Sequence, residues 1–147
     1  MTISVSYDRA RMDVAMIYAF LSQDSYWAKN IPRETVERAM DHSLCFGAFD
    51  ENAQVGFARV ISDHATFAYL ADVFVLPSHR GRGIGKQIME AIAGHPALQG
   101  LRRWHLVTRD AHALYAQFGF EPLDAPERHM MKVRRSPAYP ERSEGST

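Results

Sequence analysis

The 147-residue chain carries 17 Lys+Arg and 17 Asp+Glu, and 46% of its residues are hydrophobic. This length and composition fit one globular domain and exclude a disordered chain, while the zero formal net charge argues against nucleic-acid or membrane partners. A single cysteine, Cys45, no long apolar run and no charged leader lead us to expect a cytoplasmic protein without disulfide, signal peptide or membrane span.

Hydrophobic periodicity predicts an α/β fold. In chain order it indicates a strand at 3–5, helices at 12–21 and 32–40, strands at 44–49, 54–61 and 67–76, a helix at 84–93, a strand at 103–108, a helix capped by Asp110 and ended by Gly119, and strands from 120 onward and at 129–133. We expect a mixed sheet of about seven strands flanked by helices, in one domain over 1–134. The polar, proline-containing segment 135–147 is predicted to be a disordered tail.

The turn between the strand at 67–76 and the helix at 84–93 is the most informative segment. Its glycines alternate with other residues, and three cations accompany them; in order the residues are Arg80, Gly81, Arg82, Gly83, Ile84, Gly85 and Lys86. Glycines let a backbone approach a ligand closely, and a helix start presents unpaired N–H groups. The segment therefore predicts a phosphate or pyrophosphate site. The spacing fits neither a P-loop nor a dinucleotide fingerprint. A glycine-rich turn without a ligand is the alternative.

Two motifs resemble those of one family. Arg80-x-x-Gly83-x-Gly85 resembles the pyrophosphate loop of the GNAT superfamily of acetyl-CoA-dependent N-acetyltransferases, and 113–120 (ALYAQFGF) is similar to the end of a helix in that family. The order of elements over about residues 2–134 is also similar. One position departs from the pattern, because Asp110 stands where many members carry a cofactor-contacting Asn. An aspartate would repel phosphate, so no cofactor role is expected for Asp110.

The resemblance implies a GNAT-like fold and transfer of an acetyl group from acetyl-CoA to a primary amine, with CoA as product. It implies that the pantetheine arm lies along Val73, Phe74 and Val75, with a backbone N–H there facing the developing oxyanion. Tyr115 is the candidate general acid for the leaving sulfur, since a tyrosine hydroxyl is protonated at neutral pH. The alternative for Tyr115 is an aromatic side chain that only packs in the core.

Asp72 is the candidate base, because it is the single carboxylate in the strand 67–76. Burial would raise its pKa toward a useful range. The alternative is a structural aspartate that pairs with an arginine or tyrosine or lies at a strand bulge. The amine-acceptor pocket is expected to be lined by Tyr26, Trp27, Phe46, Arg59, Phe67 and Tyr69. Arg59 is either a ligand for a substrate carboxylate or a charge on a half-exposed strand face.

Other functions are alternatives to transfer. A non-catalytic acyl-CoA-binding or sensory domain would keep the same loop, and a nucleic-acid binder would use its arginines. The seven histidines lack metal-ligand spacing, so no metal is expected. The acceptor amine belongs to either a small molecule or a protein, and the family resemblance makes a homodimer an open alternative to a monomer.

Overall fold

The fold is built on one five-stranded sheet. The computed structural model describes residues 2–134, so the predicted tail at 135–147 lies outside the described residues. Within that part of the chain, the strands are β1 (Ile3–Ser6), β2 (Leu44–Asp50), β3 (Ala53–Ser62), β4 (Phe67–Val75) and β5 (Arg103–Leu106), in the order β1-β2-β3-β4-β5. The first four strands pair antiparallel, whereas β5 pairs parallel with β4.

Four helices accompany the sheet in the described residues, 2–134. They are α1 (Val14–Ala19), which continues as a π-helical turn over Phe20–Asp24, α2 (Arg33–Asp41), α3 (Ile84–Ala93) and α4 (His112–Ala116). Short 3₁₀ turns lie at Arg9–Arg11, Pro77–His79, Pro96–Leu98 and Pro126–Arg128. The stripe of Ile84, Ile88 and Ile92 is fully buried, which is why α3 has the bounds that its periodicity predicts.

The sheet separates two cores. On one face Phe46, Ala58, Val60 and Leu70 pack with the isoleucine stripe of α3. On the other face Phe57 and Phe74 pack with the residues of α1 and α2. A sheet covered on both faces explains why β3 and β4 read as nearly continuous apolar runs.

A β-bulge in β4 sets which residues face each core. Phe57 pairs with Phe74 and Arg59 pairs with Ala71, so two residues of β4, Asp72 and Val73, lie opposite one residue of β3. Asp72 has a φ of 56°, in the left-handed region that aspartate tolerates better than most residues. Side chains alternate between the two faces of a strand, so after the extra residue the even-numbered and odd-numbered positions of β4 exchange faces. Even-numbered Leu70 therefore faces α3, whereas even-numbered Phe74 faces α1.

Three predictions about the fold are corrected. The prediction of about seven strands is wrong for the described residues, because the segments from 120 onward and at 129–133 form no strand there. Pro122 and Pro126 interrupt the first of these segments, and a strand also needs a partner edge that periodicity cannot supply. The helix at 12–21 ends as a π-helical turn. Asp110 does not cap α4: its N-cap is Ala111, whose N–H donates to Thr108 Oγ1 at 3.1 Å.

Candidate active site

A cleft of about 610 Å³ opens where β4 and β5 part. The two strands pair from Phe67 with Arg103 to Leu70 with Leu106, and within residues 2–134 no pairing of β4 with β5 continues beyond that point. The walls of the cleft come from the segment 70–73 of β4 and from 106–108 at the end of β5. The remaining part of β4 therefore presents an edge that β5 does not cover.

The cleft brings together most of the predicted catalytic and acceptor residues. Its lining includes Tyr26, Trp27, Arg59, Tyr69, Asp72, Val73 and Tyr115. Two expected liners are absent from it. Phe46 is fully buried in the core against α3, and Phe67, 38% exposed, lies at the far end of β4. The alternation of side chains places Phe46 on the opposite face of the sheet from Arg59 and Cys45.

Tyr115 lies at the inner end of α4, where it packs on the core and also lines the cleft. Its side chain is 8% exposed, and its ring contacts Phe120 edge-on at 6.0 Å. Burial, with smaller contributions from Tyr26 and Asp110, raises the pKa of Tyr115 to about 12. The hydroxyl is therefore protonated at every physiological pH and is available as a hydrogen-bond donor.

Asp72 accepts hydrogen bonds from two cleft residues. Trp27 Nε1 donates to Oδ1 at 2.8 Å, and Arg59 Nε donates to Oδ2 at 2.9 Å. The Arg59 and Asp72 side chains are each 15% exposed, and Arg59 Nη1 also donates to Ser43 Oγ at 3.0 Å. Asp72 thus ties the loop after α1 to the bulge of β4, which combines both structural alternatives that the sequence left open, an arginine partner and a bulge.

The predicted phosphate loop lies between β4 and α3. Gly81 and Gly83 have φ values of 78° and 76°, which favour glycine, and an added Cβ at either position would meet no atom within 4 Å. Gly83 is the N-cap of α3 and supplies no side-chain cap, so no N-cap side chain occupies the first N–H groups of the helix. Arg80, Arg82 and Lys86 add positive charge around this helix start.

Two contacts fix the loop to the sheet. Arg80 Nε donates to the Val75 carbonyl at 2.9 Å, which turns the arginine back onto the end of β4. His79 Nε2 lies 2.9 Å from Asp50 Oδ2 at the end of β2, and the hydrogen bond to His79 lowers the pKa of Asp50. Phe74 itself is buried and stacks on Phe20 at 4.0 Å, so only its backbone is available at the cleft.

The rim of the cleft contains three basic residues that the sequence did not single out. Lys29, Lys132 and Arg134 line it together with Asp110. Arg109 lies over the Tyr26 ring with its guanidinium carbon 3.9 Å from the ring centroid. Sequence reasoning placed 129–133 in a strand and gave these residues no site role, because nothing local to the segment shows that it reaches the cleft.

The structure adds two findings on metals and membranes. Among residues 2–134, no group of three or more His, Cys, Asp and Glu side chains could hold a metal ion. None of the helices described for this part of the chain is long and apolar enough to cross a membrane.

Comparisons with known proteins agree with this geometry. A family model described as an acetyltransferase (GNAT) domain matches residues 41–122. Two relatives carry the description "putative acetyltransferase". One, from Gibberella zeae, is 36% identical over 135 residues and covers 77% of this chain and 75% of its own length. The other is a GNAT-family crystal structure from Xanthomonas campestris pv. campestris, 56% identical with a TM-score of 0.88, covering 91% of this chain and 94% of that one.

A more distant structure shares the fold. It is a predicted acetyltransferase from Clostridium acetobutylicum with acetyl-CoA, 14% identical with a TM-score of 0.66, and the match covers 90% of this chain and 96% of that chain. The family model spans more than half of the chain, and the relative from Gibberella zeae is similar over most of its length. The chain therefore belongs to the GNAT family of acetyltransferases.

Proposed function

We propose that the protein transfers the acetyl group of acetyl-CoA to a primary amine by direct attack in a ternary complex. The observation that carries the proposal is the position of the cleft. The cleft opens at the edge of β4 that β5 does not cover, and the buried Tyr115 is one of its lining residues. It also lies on the strand that leads directly into the glycine loop.

The residues present fit a CoA-type donor. The N-terminus of α3 and the left-handed glycines provide open space and N–H groups for a pyrophosphate, with Arg80, Arg82 and Lys86 as cations. The uncovered edge of Val73, Phe74 and Val75 supplies backbone groups for the amides of the pantetheine arm. When bound, acetyl-CoA supplies the activated acyl group. The chain's part is to hold and orient it beside the amine, which removes much of the entropic barrier.

A backbone N–H at the bulge is the proposed donor to the thioester carbonyl oxygen as it gains negative charge. A β-bulge turns backbone groups out of the regular ladder, and Val73 lies in the bulge and lines the cleft. Preorganised N–H donors of this kind are worth about 3–4 kcal/mol in acyl-transfer enzymes. The Trp27 and Arg59 bonds to Asp72 hold this part of β4 in place.

Tyr115 is the proposed donor to the leaving sulfur. With its pKa raised to about 12, Tyr115 is a weaker acid than an ordinary thiol, whose pKa is about 8.5. Full proton transfer to the thiolate is therefore uphill by about 3.5 pKa units. Tyr115 then stabilises the thiolate through a hydrogen bond, and the proton that CoA finally carries comes from the nitrogen of the amine, which gains a positive charge when the neutral amine attacks the carbonyl carbon.

Asp72 remains the proposed carboxylate for the removal of the amine's proton, either directly or through water. Both of its oxygens already accept hydrogen bonds, one of them from a guanidinium group. Its contacts favour a positioning role at the bulge, and the two roles have different kinetic signatures. The acceptor class, a small-molecule or a protein amine in the cytoplasm, belongs to the same proposal.

Thermal unfolding in acetyl-CoA, CoA, ATP and NAD tests the donor site. A ligand at 100 times its Kd stabilises a protein by about 2.7 kcal/mol, which raises Tm by several degrees for a domain of this size. We expect a shift with acetyl-CoA and CoA and none with ATP or NAD. Release of free thiol in the presence of amines then tests transfer. A thermal shift without thiol release from any amine would favour the acyl-CoA-binding alternative.

A further inference from the structure

The lining of the cleft contains more basic than acidic side chains. Of the described residues that line it, four are basic and two are acidic: Lys29, Arg59, Asp72, Asp110, Lys132 and Arg134. Arg59 and Asp72 form an ion pair with each other. The two lysines, Lys29 and Lys132, therefore stand against Asp110, which Arg109 approaches to 3.9 Å, on the rim of a protein whose formal net charge is zero.

The ion pair also changes the expected role of Arg59. Its Nε donates to Asp72 and its Nη1 donates to Ser43, and the side chain is 15% exposed. The guanidinium group is thus held against the protein and neutralised. An anionic group on a ligand would instead meet the rim, where Lys29 and Lys132 are exposed.

The rim cations come from two distant parts of the chain. Lys29 belongs to the loop after α1 and donates to the Gln23 carbonyl, which uses one of its three N–H groups. Lys132 and Arg134 belong to the segment after α4, on the other side of the opening. Arg109, over the Tyr26 ring, adds a further positive charge beside Asp110, from which it lies 3.9 Å.

A net positive rim has two effects on an amine acceptor. It attracts a molecule that carries an anionic group and repels a simple ammonium ion. Once the amine is inside, nearby cations disfavour its protonated form and so promote the neutral amine that attacks. The second effect reduces the need for a strong base, which matters because Asp72 is engaged by Arg59 and Trp27.

We infer that the acceptor is a small primary amine that also carries a carboxylate or phosphate group. This inference rests on the proposed acetyl transfer. The volume of about 610 Å³ lies in the range of small-molecule sites and must also accommodate the acyl end of the donor, which argues for a small acceptor. Lys29 and Lys132 would face the anionic group while the amine points inward to Tyr115 and Val73.

Matched pairs of amines test the inference through thiol release from acetyl-CoA. β-Alanine is compared with propylamine for the carboxylate, and phosphoethanolamine with ethanolamine for the phosphate. We expect kcat/KM to be at least about tenfold higher for the anionic member of one pair at low salt, with a gap that narrows as NaCl increases. The pair with the larger gap identifies the anionic group. Equal or higher kcat/KM for both neutral members would overturn the acceptor class while leaving acetyl transfer intact.

Two charge variants distinguish an effect of the rim lysine on acceptor preference from a general effect of the protein's net charge. Lys132→Gln should reduce the anionic-to-neutral ratio of kcat/KM by about two- to fivefold, and Lys132→Arg should retain it. Arg102→Gln changes the net charge equally at an exposed position outside the cleft and should leave the ratio unchanged. An equal loss in the Arg102 and Lys132 variants would contradict a role for the rim. Thiol release from no amine, with the acetyl-CoA thermal shift retained, would instead contradict acetyl transfer itself.

Discussion

The indole N–H of Trp27 donates a 2.8 Å hydrogen bond to Asp72, a residue 45 positions further along the chain. Asp72 lies at the bulge of β4 with a left-handed backbone conformation, and Trp27 lies in a loop that lines the cleft. One hydrogen bond thus joins the loop that would receive the amine to the strand that would hold the acyl donor. The two halves of the proposed active site are mechanically linked through a side chain for which the sequence left both a base and a structural role open.

Replacement of Asp72 by Asn distinguishes positioning from base catalysis. The variant leaves Arg59 partly buried without its carboxylate, so we expect a loss of about 1–3 kcal/mol in the free energy of unfolding. If Asp72 acts by positioning, kcat falls and the shape of the pH–rate profile does not change. Trp27→Phe, which removes only the indole donor, should then lower kcat in the same way. Loss of the acidic limb of the profile in the Asn variant alone would show that Asp72 is the base.

Replacement of Tyr115 by Phe tests the proposed donor to the leaving sulfur. A hydrogen bond to a charged group contributes about 1.5–3 kcal/mol, so we expect kcat to fall by about 10- to 150-fold. The KM for acetyl-CoA should change little, because the thiolate exists only as the bond breaks. Steady-state kinetics at several pH values, with circular dichroism as a control for folding, measures both quantities. An unchanged kcat in a folded variant would reduce Tyr115 to a core side chain.

The raised pKa of Tyr115 also predicts how stability responds to alkali. In the unfolded chain this tyrosine ionises near pH 10, whereas in the folded protein burial raises its pKa to about 12. The stabilisation linked to Tyr115 is therefore fully present below pH 10 and is lost as the pH rises from 10 to 12. Chemical denaturation over this range should show a steeper loss for the natural protein than for Tyr115→Phe. Parallel curves for the two proteins would mean that the hydroxyl is not desolvated.

The left-handed glycines offer a matched pair of substitutions. Gly83 and Gly100 have φ values of 76° and 74°, and neither has an atom within 4 Å of an added Cβ. Alanine at either position should therefore cost about 1–2 kcal/mol of backbone strain. Only Gly83→Ala should also raise the KM for acetyl-CoA, by about tenfold if about 1.4 kcal/mol of binding is lost. Titration of acetyl-CoA by calorimetry gives the comparison, and equal affinities of the two variants would argue against the loop as the pyrophosphate site.

Apolar periodicity and glycine spacing in the sequence predicted the helices and turns that depend mainly on neighbouring residues. The bounds of α3 follow from its isoleucine stripe and from Gly94, and the glycine spacing before it identified the loop. The segments from 120 onward and at 129–133 show the limit of this reasoning. Apolar residues recur there as in a strand, yet pairing depends on an available edge elsewhere in the fold.

In the candidate site, too, individual residues could be predicted from the sequence, whereas their contacts with distant residues could not. Tyr115 and Asp72 were found from motifs and from a lone carboxylate in an apolar strand, and both line the cleft. The partners of Asp72 were not predicted, because Trp27 and Arg59 reach it from other elements. Lys132 and Arg134 were missed as site residues for a similar reason, since only the folded chain brings the segment after α4 to the opening.

The bulge at Asp72 and Val73 gives β4 one residue more than a regular ladder with β3 would need. Both sides of the bulge are already in register with β3, so deleting Asp72 would leave Phe74 opposite Phe57 and on the same face of the sheet. The two cores and the stacking of Phe74 on Phe20 would persist, whereas the hydrogen bonds that Asp72 accepts from Trp27 and Arg59 would be lost. The surplus residue thus serves the cleft rather than the sheet: the strand can be shortened here without a change of fold, but not without losing the link across the cleft.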